Sequence, residues 1–278
     1  MPSHHGNSAF EGHIDLRGTR LYYRLAGSGP ALLLLHGWAL DGAMWRGLQD
    51  RLARDFSVLV VDRRGYGRST GQPSIEREVG DLRVLCQRLG LRNIAVLGMS
   101  QAARVALRLA LSRSLRVSCL VLDGPPGPTR GETEPATEDP PLTQYRRLLT
   151  ERGLGAFRKA WRAHPLLALH TAGRRTRALV DDIGRRYTGL DLRRNRRSDS
   201  IRRPVNLSRI RPPTLVLCGA KDLPARQQEA ADLAQRLQRS RLIRLPGSGH
   251  LPNLDVPLRY EQALRGFLRR YALRSRKS

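Results

Sequence analysis

The sequence predicts an α/β protein in which helices cover a mostly parallel sheet on both faces. Short runs that are apolar at nearly every position recur along the chain, at residues 30–36, 57–62, 93–98, 117–122 and 213–219. Strands that are apolar on both faces need cover on both sides of the sheet. Helical patterns separate these runs, and an alternation of strands and helices is typical of a doubly wound sheet.

The remaining elements fit the same class. Residues 12–25 alternate between polar and apolar positions and turn at Arg17-Gly18, which predicts a β-hairpin ahead of the first buried strand. A weaker run at residues 242–246 predicts a last strand. Apolar residues at helical spacing predict four helices around the sheet, at residues 75–90, 101–112, 224–239 and 256–272.

The alternation breaks between Pro125 and Pro213. Residues 125–141 are rich in Pro, Gly, Thr and Glu, which predicts a loop, and residues 142–203 carry helical patterns without a strand run. We therefore predict a core of residues 1–124 and 206–278. A helical cap of residues 125–205 is inserted into it after the sixth strand.

The charge of the chain has two interpretations. Fifty basic residues stand against 24 acidic ones, for a formal net charge of +26, and all but three of the basic residues are arginine. Arginine binds phosphate and carboxylate groups bidentately. The same composition also arises from coding bias in a GC-rich genome. No basic repeat, zinc spacing or aromatic-studded basic strand indicates nucleic-acid binding.

Other features narrow the class of protein further. Three widely spaced cysteines form neither a disulfide pattern nor a metal site, so we expect buried thiols and no bound metal. No apolar run approaches the roughly 20 residues that a membrane span needs. The first residues lack the apolar stretch of a secretory signal, so we expect a cytoplasmic protein. The sequence does not indicate an oligomeric state.

A serine lies between a predicted strand and a predicted helix, in the motif Gly98-Met99-Ser100-Gln101-Ala102. A serine on such a tight turn presents its hydroxyl at the edge of the sheet, and small neighbours allow the helix to pack closely. The following helix N-terminus offers unpaired N–H groups that stabilise developing negative charge. Ser100 is therefore the candidate nucleophile.

This motif and its context resemble the α/β-hydrolase superfamily, in particular its capped esterase, lactonase and haloperoxidase-like branch. The resemblance covers nearly the whole chain and is weakest in the cap. The family elbow is G-x-S-x-G, and here Ala102 replaces the last glycine. The family's H-G-x turn is present as His36-Gly37-Trp38. It implies an oxyanion hole made by the backbone N–H groups of Trp38 and Gln101, with His36 in a structural role.

A second turn, residues 62–69, resembles the family's D-x-R-G-x-G-x-S motif, and we interpret it as structural. The alternative is a phosphate-binding loop. It lacks the G-K-[ST] signature, and its glycines do not begin a helix.

The family's catalytic acid follows a late strand, where this chain has Asp222. Asp123, which also follows a strand, is the rival position. His250 follows the last strand, in a glycine-containing stretch that predicts a flexible, exposed loop. The order Ser100, Asp222, His250 is the one expected for this fold. His164 and His170 lie in the cap and are interpreted as packing or surface groups.

The resemblance implies a serine hydrolase that cleaves a small carboxylic ester or lactone through an acyl-enzyme on Ser100, without a cofactor. Two alternatives stay open. The same triad supports C–C bond hydrolysis, acyl transfer or perhydrolysis, and the scaffold also supports a non-catalytic small-molecule sensor. We predict an apolar substrate pocket lined by Trp38, Met99, Trp161 and Leu166.

Overall fold

Eight strands form one sheet in the computed structural model, which describes residues 9–112, 114–126, 140–193 and 205–272. The first eight residues, most of the predicted loop 125–141 and the end of the predicted helical segment, residues 194–203, lie outside the described residues. The strands are β1 (Phe10–Leu16), β2 (Thr19–Ala26), β3 (Ala31–Leu35), β4 (Ser57–Val61), β5 (Asn93–Met99), β6 (Arg116–Asp123), β7 (Thr214–Gly219) and β8 (Ser240–Leu245).

Their order in the sheet is β1-β2-β4-β3-β5-β6-β7-β8. The β1–β2 and β2–β4 pairs are antiparallel, and every pair from β4 to β8 is parallel. The predicted α/β class with a mostly parallel sheet is confirmed. Because the six strands from β3 to β8 run the same way, the loops that follow them meet at one edge of the sheet.

Helices connect the strands and cover the sheet. They are α1 (Arg46–Leu52), α2 (Ile75–Arg88), α3 (Ala102–Ala110), α4 (Leu142–Arg162), α5 (Arg174–Arg186), α6 (Pro224–Arg236), α7 (Pro252–Asp255) and α8 (Pro257–Tyr271). Ser74 caps α2 by accepting a hydrogen bond from the Arg77 N–H, and α6 and α8 begin at proline, which suits a first helical position. The short helices α1 and α7 were not predicted, because four to seven residues carry too little periodicity.

The side chains of β3 show how the two faces are filled. Leu32 and Leu34 join an apolar cluster with residues of α8, α4 and α5, whereas Leu33 and Leu35 join a second cluster with residues of α2, α3 and α6. Alternate residues of a strand point to opposite faces, so the four successive leucines of β3 are buried on both. Helices α4 and α5 follow β6 and contribute residues to the first of these clusters, and α4 is interrupted at Gly153. The division into core and cap stays a prediction. None of the described helices is long and apolar enough to cross a membrane.

Candidate active site

Ser100 occupies a sharp turn between β5 and α3. Its φ of 51° places it in the left-handed region, which costs a non-glycine residue about 1–2 kcal/mol. The Ser100 N–H donates to the carbonyl of Asp123 at 2.7 Å, and the Ala103 N–H donates to the Ser100 carbonyl at 2.9 Å. A Cβ on Gly98 would lie 2.5 Å from the carbonyl oxygen of Ala102, so only glycine fits where the strand and the helix meet. Strain held in this way is typical of functional sites.

His250 and Asp222 are in direct contact. Nδ1 of His250 lies 2.7 Å from Oδ2 of Asp222, and Oδ1 of Asp222 accepts a hydrogen bond from the Leu223 N–H at 2.8 Å. The loop before His250 is held to the end of β7, where the Lys221 N–H donates to the Ser248 carbonyl. The expectation that this histidine is exposed is wrong, because it is 4% exposed. Glycine serves close packing here, since a Cβ on Gly219 would meet the Gly249 carbonyl oxygen at 2.0 Å.

Asp123, the rival acid, does not contact His250. Its Oδ2 accepts a hydrogen bond from the hydroxyl of Tyr260 at 2.9 Å, and its Oδ1 is buried without a partner among the described residues. Burial raises the pKa of Asp123 to about 8, and nearby Asp222 acts in the same direction. A carboxyl group that is neutral near pH 7 is a poor partner for an imidazolium ion, so the geometry favours Asp222 over Asp123.

Residues Asp123 and Gly124 lie between the turn of Ser100 and the ring of His250. The N–H of Ser100 bonds to the carbonyl of Asp123, and a Cβ on the next residue, Gly124, would lie 2.9 Å from Cε1 of His250. Within the described part of the chain, no hydrogen bond joins the Ser100 hydroxyl to the histidine ring. In free enzymes the bond between nucleophile and base is often long and shortens when substrate binds.

The turn that contains Trp38 passes beside the nucleophile. A Cβ on Gly37 would lie 3.2 Å from Cβ of Ser100. The backbone N–H groups of Trp38 and Gln101 have no hydrogen-bond partner in residues 9–112, 114–126, 140–193 or 205–272. An oxyanion hole requires unpaired N–H groups that point at one position beside the nucleophile, so these two groups remain candidates for it.

His36 is fixed in a structural role. Its Nε2 accepts a hydrogen bond from the Arg63 N–H at 2.9 Å, so Nδ1 carries the proton and donates to the Gly37 carbonyl at 2.8 Å. Burial, and then the Arg63 charge, lower the pKa of His36 to about 3. A ring that stays neutral with both nitrogens bonded contributes no proton transfer at ordinary pH.

The turn of residues 62–69 is held by contacts within the chain. Asp62 accepts hydrogen bonds from the N–H groups of Gly42 and Arg68, both at 2.7 Å, and burial raises its pKa to about 6. Two arginines of the turn form bidentate ion pairs with buried carboxylates, Arg63 with Glu78 and Arg64 with Asp81. Arginines that are paired in this way do not offer a phosphate site.

The four predicted pocket residues are all buried in one apolar cluster. The rings of Trp38 and Trp161 contact edge to face, with centroids 4.7 Å apart, and Tyr145, Phe157 and Tyr187 pack around Trp38. His164 lies against Trp161 with ring centroids 5.1 Å apart, and its Nδ1 accepts the Leu166 N–H. This agrees with its interpretation as a packing residue.

Two carboxylates attach this cluster to the turn after β3, and neither was predicted. Asp191 accepts the indole N–H of Trp38 and the hydroxyl of Tyr187, both at 2.5 Å. Asp41 accepts both Nε and Nη2 of Arg186, at 2.7 and 3.2 Å. Asp191 and Trp38 are 153 residues apart in the chain, and Asp41 and Arg186 are 145 apart, so no local pattern could have indicated these two contacts. Among the described residues, no group of His, Cys, Asp and Glu side chains is arranged to hold a metal ion.

Comparisons with known proteins agree with this fold. A family model described as alpha/beta hydrolase fold matches residues 30–257. A pimeloyl-[acyl-carrier protein] methyl ester esterase of Nitrosomonas europaea is 28% identical over 85% of this chain and 95% of its own length. An esterase from Exiguobacterium antarcticum superposes with a TM-score of 0.78 at 23% identity, covering 91% of this chain and 97% of its own. An enol-lactonase from Burkholderia xenovorans gives 0.75 at 21% identity, covering 92% and 99%. At these identities the two structures show the fold alone.

Proposed function

The chain belongs to the alpha/beta hydrolase fold family, and from this premise we propose that it hydrolyses a small carboxylic ester or lactone through an acyl-enzyme on Ser100. The observation that carries the proposal is the left-handed backbone of Ser100, φ 51°, on the turn from β5 into α3. A strained serine at this place in the fold is the nucleophile elbow of a serine hydrolase. The name of the Nitrosomonas relative, a methyl ester esterase, supports ester chemistry.

The side chains and amides around Ser100 supply the other parts of the mechanism. Nε2 of His250 removes the hydroxyl proton as Ser100 attacks the acyl carbon, and Asp222 holds Nδ1–H at 2.7 Å and stabilises the imidazolium ion. The N–H groups of Trp38 and Gln101 bind the oxyanion of the tetrahedral intermediate. His250 then gives its proton to the leaving alkoxide. Water, activated by the same ring, hydrolyses the acyl-enzyme and restores the free serine.

We propose that the substrate binds against the apolar cluster beside Ser100. Trp38, Met99, Trp161 and Leu166 belong to one buried cluster, and Trp38 directly follows the glycine that lies next to the nucleophile. Apolar and aromatic walls with few polar groups suit an uncharged acyl chain or ring. Replacement of Trp161 by alanine therefore raises KM for aromatic and long-chain esters more than for acetate esters.

A comparison of two serine variants tests the proposal. Purified wild type, Ser100→Ala and the control Ser118→Ala are assayed with short p-nitrophenyl esters and labelled with a fluorophosphonate. Ser118 lies on β6, away from its carboxyl end, so its variant keeps wild-type rates. Ser100→Ala loses about 10⁴-fold or more in kcat, and the label is found on Ser100 by mass spectrometry. Hydrolysis that survives in Ser100→Ala contradicts the proposal.

A wild type that cleaves no ester but binds small ligands would instead favour the sensor. A panel that includes β-diketones and alternative acyl acceptors separates hydrolysis of esters from C–C cleavage and acyl transfer.

A further inference from the structure

One buried carboxylate joins the segment between α4 and α5 to the loop that carries His250. Asp255, at the end of α7, is 5% exposed. Its Oδ1 accepts hydrogen bonds from the N–H groups of His170 and Thr171, at 2.7 and 3.0 Å, and its Oδ2 accepts the N–H of Gly249 at 3.1 Å. The hydroxyl of Thr171 also donates to the backbone carbonyl of Asp255 at 2.5 Å.

The two segments that meet at Asp255 have little regular structure of their own. Residues 168–173 and 246–251 lie outside helices and strands, so their backbone N–H groups need other acceptors. The segments also touch directly, because a Cβ on Gly249 would lie 2.7 Å from Nε2 of His170. A carboxylate is the side chain suited to this place, since it is an acceptor at both oxygens and donates nothing.

The next residue in the chain after Gly249 is His250, whose ring is held on its other side by Asp222. Asp255 therefore holds the backbone next to His250, and Asp222 holds the imidazole ring. A displacement of the segment at residues 170–171 would shift Asp255, and through it Gly249. One side chain in this way links the position of residues 170–171 to that of the residue next to His250.

We propose that Asp255 is a positioning residue, which holds His250 in line with Asp222 and makes that position depend on the seating of residues 170–171. Its catalytic consequence rests on the proposed function. The structural connection does not.

The variant that tests this is Asp255→Asn, which keeps the shape of the side chain. An amide offers one acceptor oxygen, so its NH₂ group must face either Gly249 N–H or the N–H groups of His170 and Thr171. We expect kcat to fall about 10- to 100-fold with KM within about twofold of wild type, since small misplacements of a catalytic group have effects of this size. The acidic limb of the pH dependence of kcat/KM moves by about half a pH unit or more.

Asp81→Asn is the matched control. Asp81 is a buried carboxylate paired with Arg64, on α2, which packs on the opposite face of the sheet from α8. Its replacement by asparagine lowers the melting temperature, but it leaves kcat, KM and the pH dependence of kcat/KM at wild-type values. A loss of activity that merely follows loss of stability would appear in both variants, whereas a positioning role appears in Asp255→Asn alone.

Two readouts do not depend on turnover. Hydrogen–deuterium exchange is measured at the amides of His170, Thr171 and Gly249, and the Nδ1 proton of His250 is observed by NMR. In Asp255→Asn all three amides exchange faster together, and the Nδ1 proton signal broadens or shifts, while Asp81→Asn matches wild type at these sites. Unchanged exchange and an unchanged Nδ1 signal would overturn the inference, as would an unaltered kcat and pH profile. If the wild type hydrolyses no ester, the proposed function fails, and the exchange and NMR results still decide the inference.

Discussion

Nη2 of Arg63 donates a hydrogen bond of 3.1 Å to Oε1 of Gln101, and Nη1 of the same guanidinium donates to the His36 carbonyl at 3.1 Å. One buried side chain thus contacts both turns whose N–H groups are proposed to form the oxyanion hole. Glu78 forms an ion pair with the Arg63 guanidinium, and both side chains are almost fully buried. The relative position of the two turns therefore depends on an ion pair between the turn after β4, which holds Arg63, and α2, which holds Glu78.

The first prediction concerns this ion pair. Arg63→Met leaves Glu78 buried without its partner, and we expect the free energy of unfolding to fall by about 3–5 kcal/mol, as measured by urea denaturation. Adding Glu78→Leu to that variant removes the unpaired carboxylate and restores most of the loss. A double variant that is as unstable as the single one would show that the cost comes from the lost contacts to His36 and Gln101 instead.

The second prediction separates the two candidate acids. Asp222→Asn leaves an amide beside Nδ1 of His250, which favours the wrong tautomer of the ring, and we expect kcat to fall about 10⁴-fold. Asp123→Asn changes a side chain that bonds to Tyr260 and not to the ring, so kcat stays within about tenfold of wild type. Steady-state kinetics on one ester decides this, and a larger loss in Asp123→Asn would assign the acid to Asp123.

The third prediction is a pH dependence of stability. Burial raises the pKa of Asp123 to about 8, whereas the pKa of an aspartate in an unfolded chain is about 3.9. Between these values the folded protein holds one proton more than the unfolded chain. The stability from this group is therefore complete below about pH 4 and is lost as the pH rises through about 8.

Asp123→Asn removes that titration. As the pH rises from 5 to 8, the free energy of unfolding of Asp123→Asn should increase relative to that of the wild type. The increase is at most about 1.4 kcal/mol per pH unit. Urea denaturation of both proteins at a series of pH values measures the difference. A difference that does not change with pH contradicts the prediction.

The fourth prediction follows from the backbone of Ser100. Its φ of 51° strains any residue with a Cβ, whereas glycine adopts this conformation readily. Both Ser100→Gly and Ser100→Ala lack the nucleophile, but we expect the glycine variant to be more stable by about 1 kcal/mol. Denaturant unfolding of the pair measures it. Equal stabilities would mean that the turn relaxes when the serine is absent.

The fifth prediction concerns the contact between Gly124 and His250. Gly124 has a φ of 51°, and a Cβ there would lie 2.9 Å from the imidazole ring. Gly124→Ala therefore displaces the ring, and we expect kcat to fall about 100-fold. Gly80→Ala is the control, because Gly80 lies in α2 with open space around it, and alanine there stabilises the helix by about 0.5–1 kcal/mol without changing kcat.

Strand and helix assignments needed only local pattern. The all-leucine run of β3 and the helical spacing of α2 predicted elements that the structure contains, because alternation and helical period are properties of neighbouring residues. The turn motif indicated Ser100 as the candidate nucleophile, and the resemblance to a known family added the candidate acid and base. The short helices α1 and α7 were not predicted because they carry too little periodicity. The exposure predicted for His250 is wrong because the glycines near it allow close packing of the backbone, not an exposed loop.

By itself, the sequence determined the class of the fold, the turn that holds Ser100 and the order of Ser100, Asp222 and His250 along the chain. Only the tertiary structure decided which carboxylate contacts His250. It alone revealed that Asp255 joins Gly249 to residues 170–171, which lie 85 and 84 residues before Asp255 in the chain. The physical reason is the separation along the chain over which each effect acts. Periodicity and turn chemistry act between residues a few positions apart, whereas these contacts form only when the sheet brings the ends of distant strands to one edge.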